Sequence, residues 1–159
     1  MNIQIETFGD RHREWATRLS RERWAGPAVV TRGRLHRIDT LPGFVALAEG
    51  RPVGLLIYRI DDGQCEVVSL DAVVERQGVG TALLHAVCAH AASVGCARVW
   101  LITTNDNTPA LRFYQRQGFE LVALHKDALA ESRKLKPQIP ELGLDDIPLR
   151  DEIEFERKL

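Results

Sequence analysis

Two glycines one residue apart, Gly78 and Gly80, stand in the stretch Glu75-Arg76-Gln77-Gly78-Val79-Gly80-Thr81, between an apolar run ending in Val73-Val74 and an amphipathic run opening Ala82-Leu83-Leu84. A strand that turns into a helix through such a segment offers bare backbone N–H groups and the positive end of a helix dipole, which is the chemistry of a phosphate cradle. An ordinary strand-to-helix turn has the same glycines, so the rest of the chain must decide between the two.

A second group lies thirty residues on. Asn105-Asp106-Asn107-Thr108 carries capping side chains, Pro109 suits a first helical position, and Ala110, Leu111, Phe113 and Tyr114 share one face of the short helix that follows. Taken alone, Tyr114 reads as a half-buried core aromatic. His36, in the basic loop Gly26 to Pro42, invites a reading as ligand or general base, yet a solitary exposed loop histidine is more often neither. His85 and His90 fall off or at the edge of their helix stripe and read as surface residues. Cys65, Cys88 and Cys96 make no paired spacing and read as buried thiols of a reducing compartment, none an activated nucleophile. No metal site is expected.

These residues need elements to hold them. Ile3 and Ile5 alternate as a short strand, and a helix from Asp10 to Trp24 follows. Gly43 to Glu49, Val53 to Ile60 and Cys65 to Val73 form an antiparallel meander joined by Gly50-Arg51-Pro52 and Asp61-Asp62-Gly63. Thr81 to Ser93 is a helix stopped by Gly95. Ala97 to Thr103 is a continuous apolar run, expected as a strand covered on both faces. After the short helix Pro109 to Gln117 come a strand from Phe119 to His125, a helix from Asp127 to Leu135 ending in Arg and Lys, an irregular segment and a last strand, Ile153 to Leu159.

The chain has 159 residues, 45% hydrophobic and 27% charged, which fits one α/β domain of mixed α+β type, residues 1–159, with a real core. Twenty-one Lys and Arg against 22 Asp and Glu leave a net charge of -1, so no global field attracts nucleic acid or an anionic membrane. The N-terminus lacks the pattern of an export signal and no apolar run approaches a membrane span, so a cytoplasmic location is expected.

The order of elements resembles the GNAT superfamily of acyl-CoA-dependent N-acyltransferases over nearly the whole chain. Two motifs carry the resemblance. The family's Q/R-x-x-G-x-G/A signature is met by Gln77-Gly78-Val79-Gly80 and its flanks, with Glu75 in place of the first Gln or Arg. The pattern N-x-x-A-x-x-h-Y-x-x-x-G-F is met in full by Asn107, Ala110, Phe113, Tyr114, Gly118 and Phe119. The resemblance implies a central mixed sheet of about seven strands with four or five flanking helices, and acetyl-CoA as co-substrate.

In that frame the N–H groups of Gln77, Gly78, Val79, Gly80 and Thr81 hold a pyrophosphate, and side chains at 78 or 80 would keep it away. Arg76 compensates for Glu75. Val68, Ser69 and Leu70 take the place where the family's strand splays and main-chain groups hold the pantetheine arm; the Leu70 N–H faces the thioester oxygen. Asn107 caps the helix, contacts CoA, or does both, and Ala110 and Phe113 belong to the same cofactor-binding motif. Tyr114, with a reference pKa of about 10, becomes the donor that protonates a departing thiolate of pKa near 8.5. For the base the candidates are Glu66, placed by strand alternation on one face with Val68 and Leu70, and Asp71 at the strand end; a cross-strand ion pair explains Glu66 equally well.

The activity so implied is direct transfer of acetyl to a primary amine of a small molecule, or of a peptide or protein. The rival from another class is a CoA-binding regulatory domain whose catalysis has lapsed. A dinucleotide-binding oxidoreductase would need a third glycine and a parallel βαβ context, and both are missing. Ile102 stands where the family's ribosomal-protein acetyltransferases carry Glu, against that substrate class. Acceptor contacts are expected from Trp15 to Phe44 and His125 to Pro148, where the early arginines could receive a carboxylate-bearing amine. Homodimerisation through the terminal strand, as in many relatives, is left open.

Overall fold

The computed structural model describes residues 2–159. Strands β1 (Ile3–Thr7), β4 (Gly43–Ala48), β5 (Arg51–Asp61), β6 (Gln64–Ala72), β7 (Arg98–Thr104), β8 (Glu120–His125) and β9 (Glu152–Lys158) form one sheet in the order β1-β4-β5-β6-β7-β9-β8. The first four are antiparallel neighbours, β6 and β7 are parallel, and β9 inserts antiparallel between β7 and β8. The parallel pair needs a crossover, and the helix that makes it is α2 (Val79–Ser93). This is the mixed seven-stranded sheet expected from the sequence, with four α-helices among the described residues: α1 (Arg13–Trp24), α2, α3 (Thr108–Arg116) and α4 (Ala128–Leu135).

Helices α2 and α3 cover one face, where Leu83, Leu84, Val87 and Ala91 pack on Val67, Val99, Leu101 and Phe155. Leu83 and Leu84 are at most 1% exposed, and burial of each is worth about 1.5–3 kcal/mol. The other face is closed by α1, whose Ala16 and Leu19 meet Val45, Leu55, Ile57 and Val68.

The segment expected as a basic loop, Gly26 to Pro42, contains a second sheet. Strands β2 (Ala28–Thr31) and β3 (Arg34–Arg37) form a hairpin whose turn is Arg32-Gly33, both at positive φ. Such a turn usually announces itself by Asn or Asp before the glycine; here Arg stands there. Glu152, almost fully buried, holds the turn through the Arg32 N–H at 3.2 Å and its guanidinium at 3.3 Å.

Two further expectations change. The apolar run of β7 alternates between buried and half-buried residues, and its Trp100 carries the Arg98 guanidinium 5.2 Å above its ring, so only one face is sealed. The terminal strand β9 has both edges paired within the chain, so the edges available to a partner are β1 and β8, the latter with Leu121, Val122 and Leu124 exposed.

Candidate active site

Strands β6 and β7 run paired from Gln64↔Arg98 to Val67↔Leu101 and no further. Beyond that point β6 stays bonded to β5 as far as Ala72↔Gly54, while β7 stays bonded to β9 as far as Thr104↔Glu152. The two strands therefore part, and Val68, Ser69 and Leu70 turn an edge that β7 leaves unpaired. Val68 is the extra residue of a β-bulge, since Ile57 faces Ser69 while the next residue, Tyr58, faces Val67. The bulge alters the alternation: Glu66 and Val68 lie on the α1 face, but Leu70 packs with the α2 core. The shared face expected for Glu66, Val68 and Leu70 holds only for the first two. The Ser69 hydroxyl is buried without a hydrogen-bond partner.

The glycine turn sits at the mouth of this wedge. Gly78 is the N-cap of α2 at φ 79°, a left-handed conformation that costs other residues about 1–2 kcal/mol. A Cβ there would meet nothing within 4 Å, so the space above it is open. Ala82 donates to Gly78 O at 3.0 Å; the preceding N–H groups of the first turn have no helical acceptor. Arg76 and Gln77 are exposed, whereas the Val79 side chain is core, 1% exposed.

Gly80 has a different reason. A Cβ on it would lie 2.9 Å from Phe113 Cζ, so its glycine lets α3 dock on α2. Thr81 adds to the same joint by accepting from Gln117 Nε2 at 3.0 Å. The sequence reading assigned Gly80 to the approach of a ligand and Phe113 to cofactor binding; in the structure each is first the other's packing partner. Asn107 Oδ1 accepts from Ala110 N at 3.2 Å as the N-cap of α3.

Tyr114 is 9% exposed, among Phe113, Phe119 and Phe155 at 5.2–5.8 Å between ring centroids. Burial raises its phenol above the ordinary range, and the charge of Asp71 adds to the rise. Asp71 stands at the end of β6 on the opposite side, 7% exposed, accepting from Trp24 Nε1 at 2.9 Å. Burial raises its carboxyl, against the lowering effects of Trp24 and Arg23.

Glu66 is 2% exposed and lies between paired neighbours, Arg59 on β5 and Trp100 on β7, before the strands part. Thr31 Oγ1 donates to Glu66 Oε2 at 2.6 Å and accepts from His36 Nε2 at 2.7 Å; Arg59 Nε is 3.6 Å from Oε1. Burial raises the Glu66 carboxyl, partly offset by Thr31. His36, expected as an exposed loop residue, is 4% exposed in this cluster. Burial first, then the charges of Arg59 and Arg34, lower it to about 4, so it is neutral at pH 7. The cysteines are buried and free, and burial pushes the Cys65 thiol up to about 12, far from thiolate chemistry. His90 packs its ring on Phe44 and Tyr58, half-buried rather than free on the surface.

A cavity of about 400 Å³ opens beside the wedge, bounded by Trp24 at the end of α1, Val30 on β2, Thr104 at the end of β7, and Leu129 and Lys136 of α4 and its exit. All of these but Thr104 lie in the segments from which acceptor contacts are expected. Trp24 and Lys136 are not singled out by the sequence: the one reads as the last apolar position of a helix, and the other falls just past the end of the Asp127-to-Leu135 helix.

The geometry joins a parted pair of strands, a helix N-terminus and a buried tyrosine. Residues 5–119 match the model of the acetyltransferase (GNAT) family. The chain belongs to the GNAT acetyltransferase family. Among similar sequences, the Bacillus subtilis (strain 168) protein YdhI is 42% identical over 135 residues, 84% of each chain. The fold matches an IAA acetyltransferase from Bacillus cereus with a TM-score of 0.73 at 17% identity, covering 99% of this chain and 100% of that one. A GNAT family acetyltransferase from Elizabethkingia anophelis with acetyl-CoA bound matches with a TM-score of 0.71 at 18% identity, over 99% of both chains. Among the described residues no helix is long and apolar enough to cross a membrane, and no three His, Cys, Asp or Glu side chains group as metal ligands.

Proposed function

We propose that this GNAT chain transfers an acetyl group from acetyl-CoA directly to a primary amine of a small molecule, with both substrates bound together. The observation that carries the reading is the parting of β6 and β7 after Val67↔Leu101, with the open N-terminus of α2 at its mouth and a cavity beside it. The acetyl-CoA bound to the structural neighbour from Elizabethkingia anophelis supports the choice of donor.

The pyrophosphate is held by the N–H groups of Gln77, Gly78, Val79, Gly80 and Thr81, with Arg76 adding charge. The unpaired main chain of Val68, Ser69 and Leu70 takes the pantetheine arm as an added strand, and the Leu70 N–H donates to the thioester oxygen as charge builds there. Asn107 keeps its amide NH2 as a donor toward the same ligand. The amine nitrogen attacks the thioester carbonyl carbon, the C–S bond breaks, and the amine's proton passes to a carboxylate while Tyr114 protonates the departing sulfur. Burial keeps the Tyr114 phenol protonated through neutral pH, the state a donor requires. Asp71 is the better placed base. It stands past the point where the strands part and touches Trp24 of the cavity wall, whereas Glu66 is enclosed by Thr31 and Arg59. In this reading Glu66 positions the hairpin.

The test is CoA release from acetyl-CoA across a panel of primary amines, beside calorimetric titration of acetyl-CoA. Amine-dependent release with stoichiometric N-acetyl product supports acetyl transfer. Tight binding with no release for any amine favours a CoA-binding regulatory domain.

A further inference from the structure

Lys136 is 9% exposed, and no carboxylate pairs with it among the described residues. Its Nζ donates to the carbonyls of Trp24 and Ala28, the latter at 2.6 Å. An ammonium has three N–H donors, so one remains beyond these two. Burial lowers its pKa, the cost of a cation withdrawn from water without an anion.

This cation lines the cavity of about 400 Å³, a size within the range of small-molecule sites. The cavity adjoins the wedge: Thr104, at the end of β7, lines it, and Trp24 on its wall bonds Asp71 near the end of β6. Of its two carboxylates, Asp106 is engaged by Thr104 Oγ1 at 2.5 Å and by Leu144 N at 2.9 Å, and Glu22 is exposed. Arg21 and Arg23 stand exposed on its wall, so three cations, Lys136 among them, line it against two carboxylates. The wall also carries apolar side chains, Val29, Leu129 and Ile139.

We propose that the acceptor is an amine that also carries a carboxylate, and that the Lys136 ammonium binds this carboxylate while the amine reaches the wedge between β6 and β7. The inference rests on the acetyl-transfer reading and names its substrate class. An incoming anion takes the free N–H and restores the charge balance that burial denies the lysine. The apolar side chains of the wall suit a short hydrocarbon body between the two charged ends.

The experiment compares leucine, phenylalanine, γ-aminobutyrate and ε-aminocaproate, each with the amine that lacks the carboxylate, in wild type and in Lys136→Met and Lys136→Arg. At least one carboxylated member is expected to exceed its counterpart by about 10-fold or more in kcat/KM, the range of a hydrogen bond to a charged group. In Lys136→Met that preference disappears through KM, in Lys136→Arg it is partly kept, and acetyl-CoA affinity is unchanged in both. Because Lys136 also ties α4 to α1 and β2, a variant that fails to fold leaves the wild-type comparison as the deciding measurement. Equal rates for every pair in wild type, or an equal loss for both members in Lys136→Met, overturn the proposal. Calorimetric titration of the same amino acids reads the site apart from turnover: Lys136-dependent binding without acetyl transfer supports the carboxylate site and overturns acetyl transfer, while no binding and no preference overturn the site.

Discussion

Trp24 donates its indole N–H to Asp71 Oδ2 at 2.9 Å across 47 residues of chain. The last residue of α1 is thereby fixed to the end of β6, and the Asp71 carboxylate, raised by burial, is held against Trp24 of the cavity wall. Asp71→Asn is expected to lower kcat about 100-fold or more, in the range of general-base removal, with acetyl-CoA affinity unchanged. Glu66→Gln is expected to keep kcat within severalfold. The reverse outcome in the same assay would assign the base to Glu66.

The raised carboxyl also sets a pH dependence. A base works ionised, so with saturating acceptor kcat falls as pH drops through the Asp71 pKa, which lies above the 3.8 of an unperturbed aspartate. Trp24→Phe removes a hydrogen bond that favours the ionised form, and the acid limb is expected to move to higher pH. A limb that stays in place would detach it from Asp71.

Tyr114→Phe deletes one hydroxyl among three phenylalanine rings and leaves their packing. We expect kcat to fall about 10- to 100-fold, with little change in melting temperature or in acetyl-CoA affinity by calorimetry. Undiminished turnover would remove Tyr114 as the proton donor.

The two glycines of the turn separate by mutation. Gly80→Ala drives a methyl into Phe113 at 2.9 Å, so it is expected to destabilise by about 1–3 kcal/mol and to be relieved by the second change Phe113→Leu in chemical denaturation. Gly78→Ala meets no atom but is strained at φ 79°; its loss of CoA affinity should not respond to Phe113→Leu. Rescue of both by Phe113→Leu would mean that the turn serves packing alone.

His36 is neutral in the fold with a pKa of about 4, against 6.5 when unfolded. Between these values the unfolded chain binds more protons, so stability is lost as pH falls from 6.5 toward 4, by at most about 1.4 kcal/mol per pH unit. Glu66, raised by burial, acts with the opposite sign, its contribution lost as pH rises through its folded pKa. His36→Gln should flatten the loss between pH 6.5 and 4 in urea titrations; an unchanged slope would place the titration elsewhere.

The meander β4 to β6, the helices α2 and α3 and the two family motifs were legible because each is encoded locally, by alternation, by helical spacing and by cap residues such as Asn107. The glycine turn and the tyrosine helix were legible for the same reason. What depended on distant partners was not. Arg32-Gly33 closes a hairpin because Glu152 waits 120 residues away, and that hairpin buries His36 against Glu66. A one-residue bulge at Val68 sends Leu70 to the face opposite Glu66, which no period-two reading contains. The sequence by itself determined the order of elements and the turn that could face a phosphate; the tertiary structure alone decided that Gly80 answers to Phe113, Asp71 to Trp24 and Lys136 to an open cavity, because burial and pairing arise only when separate segments meet.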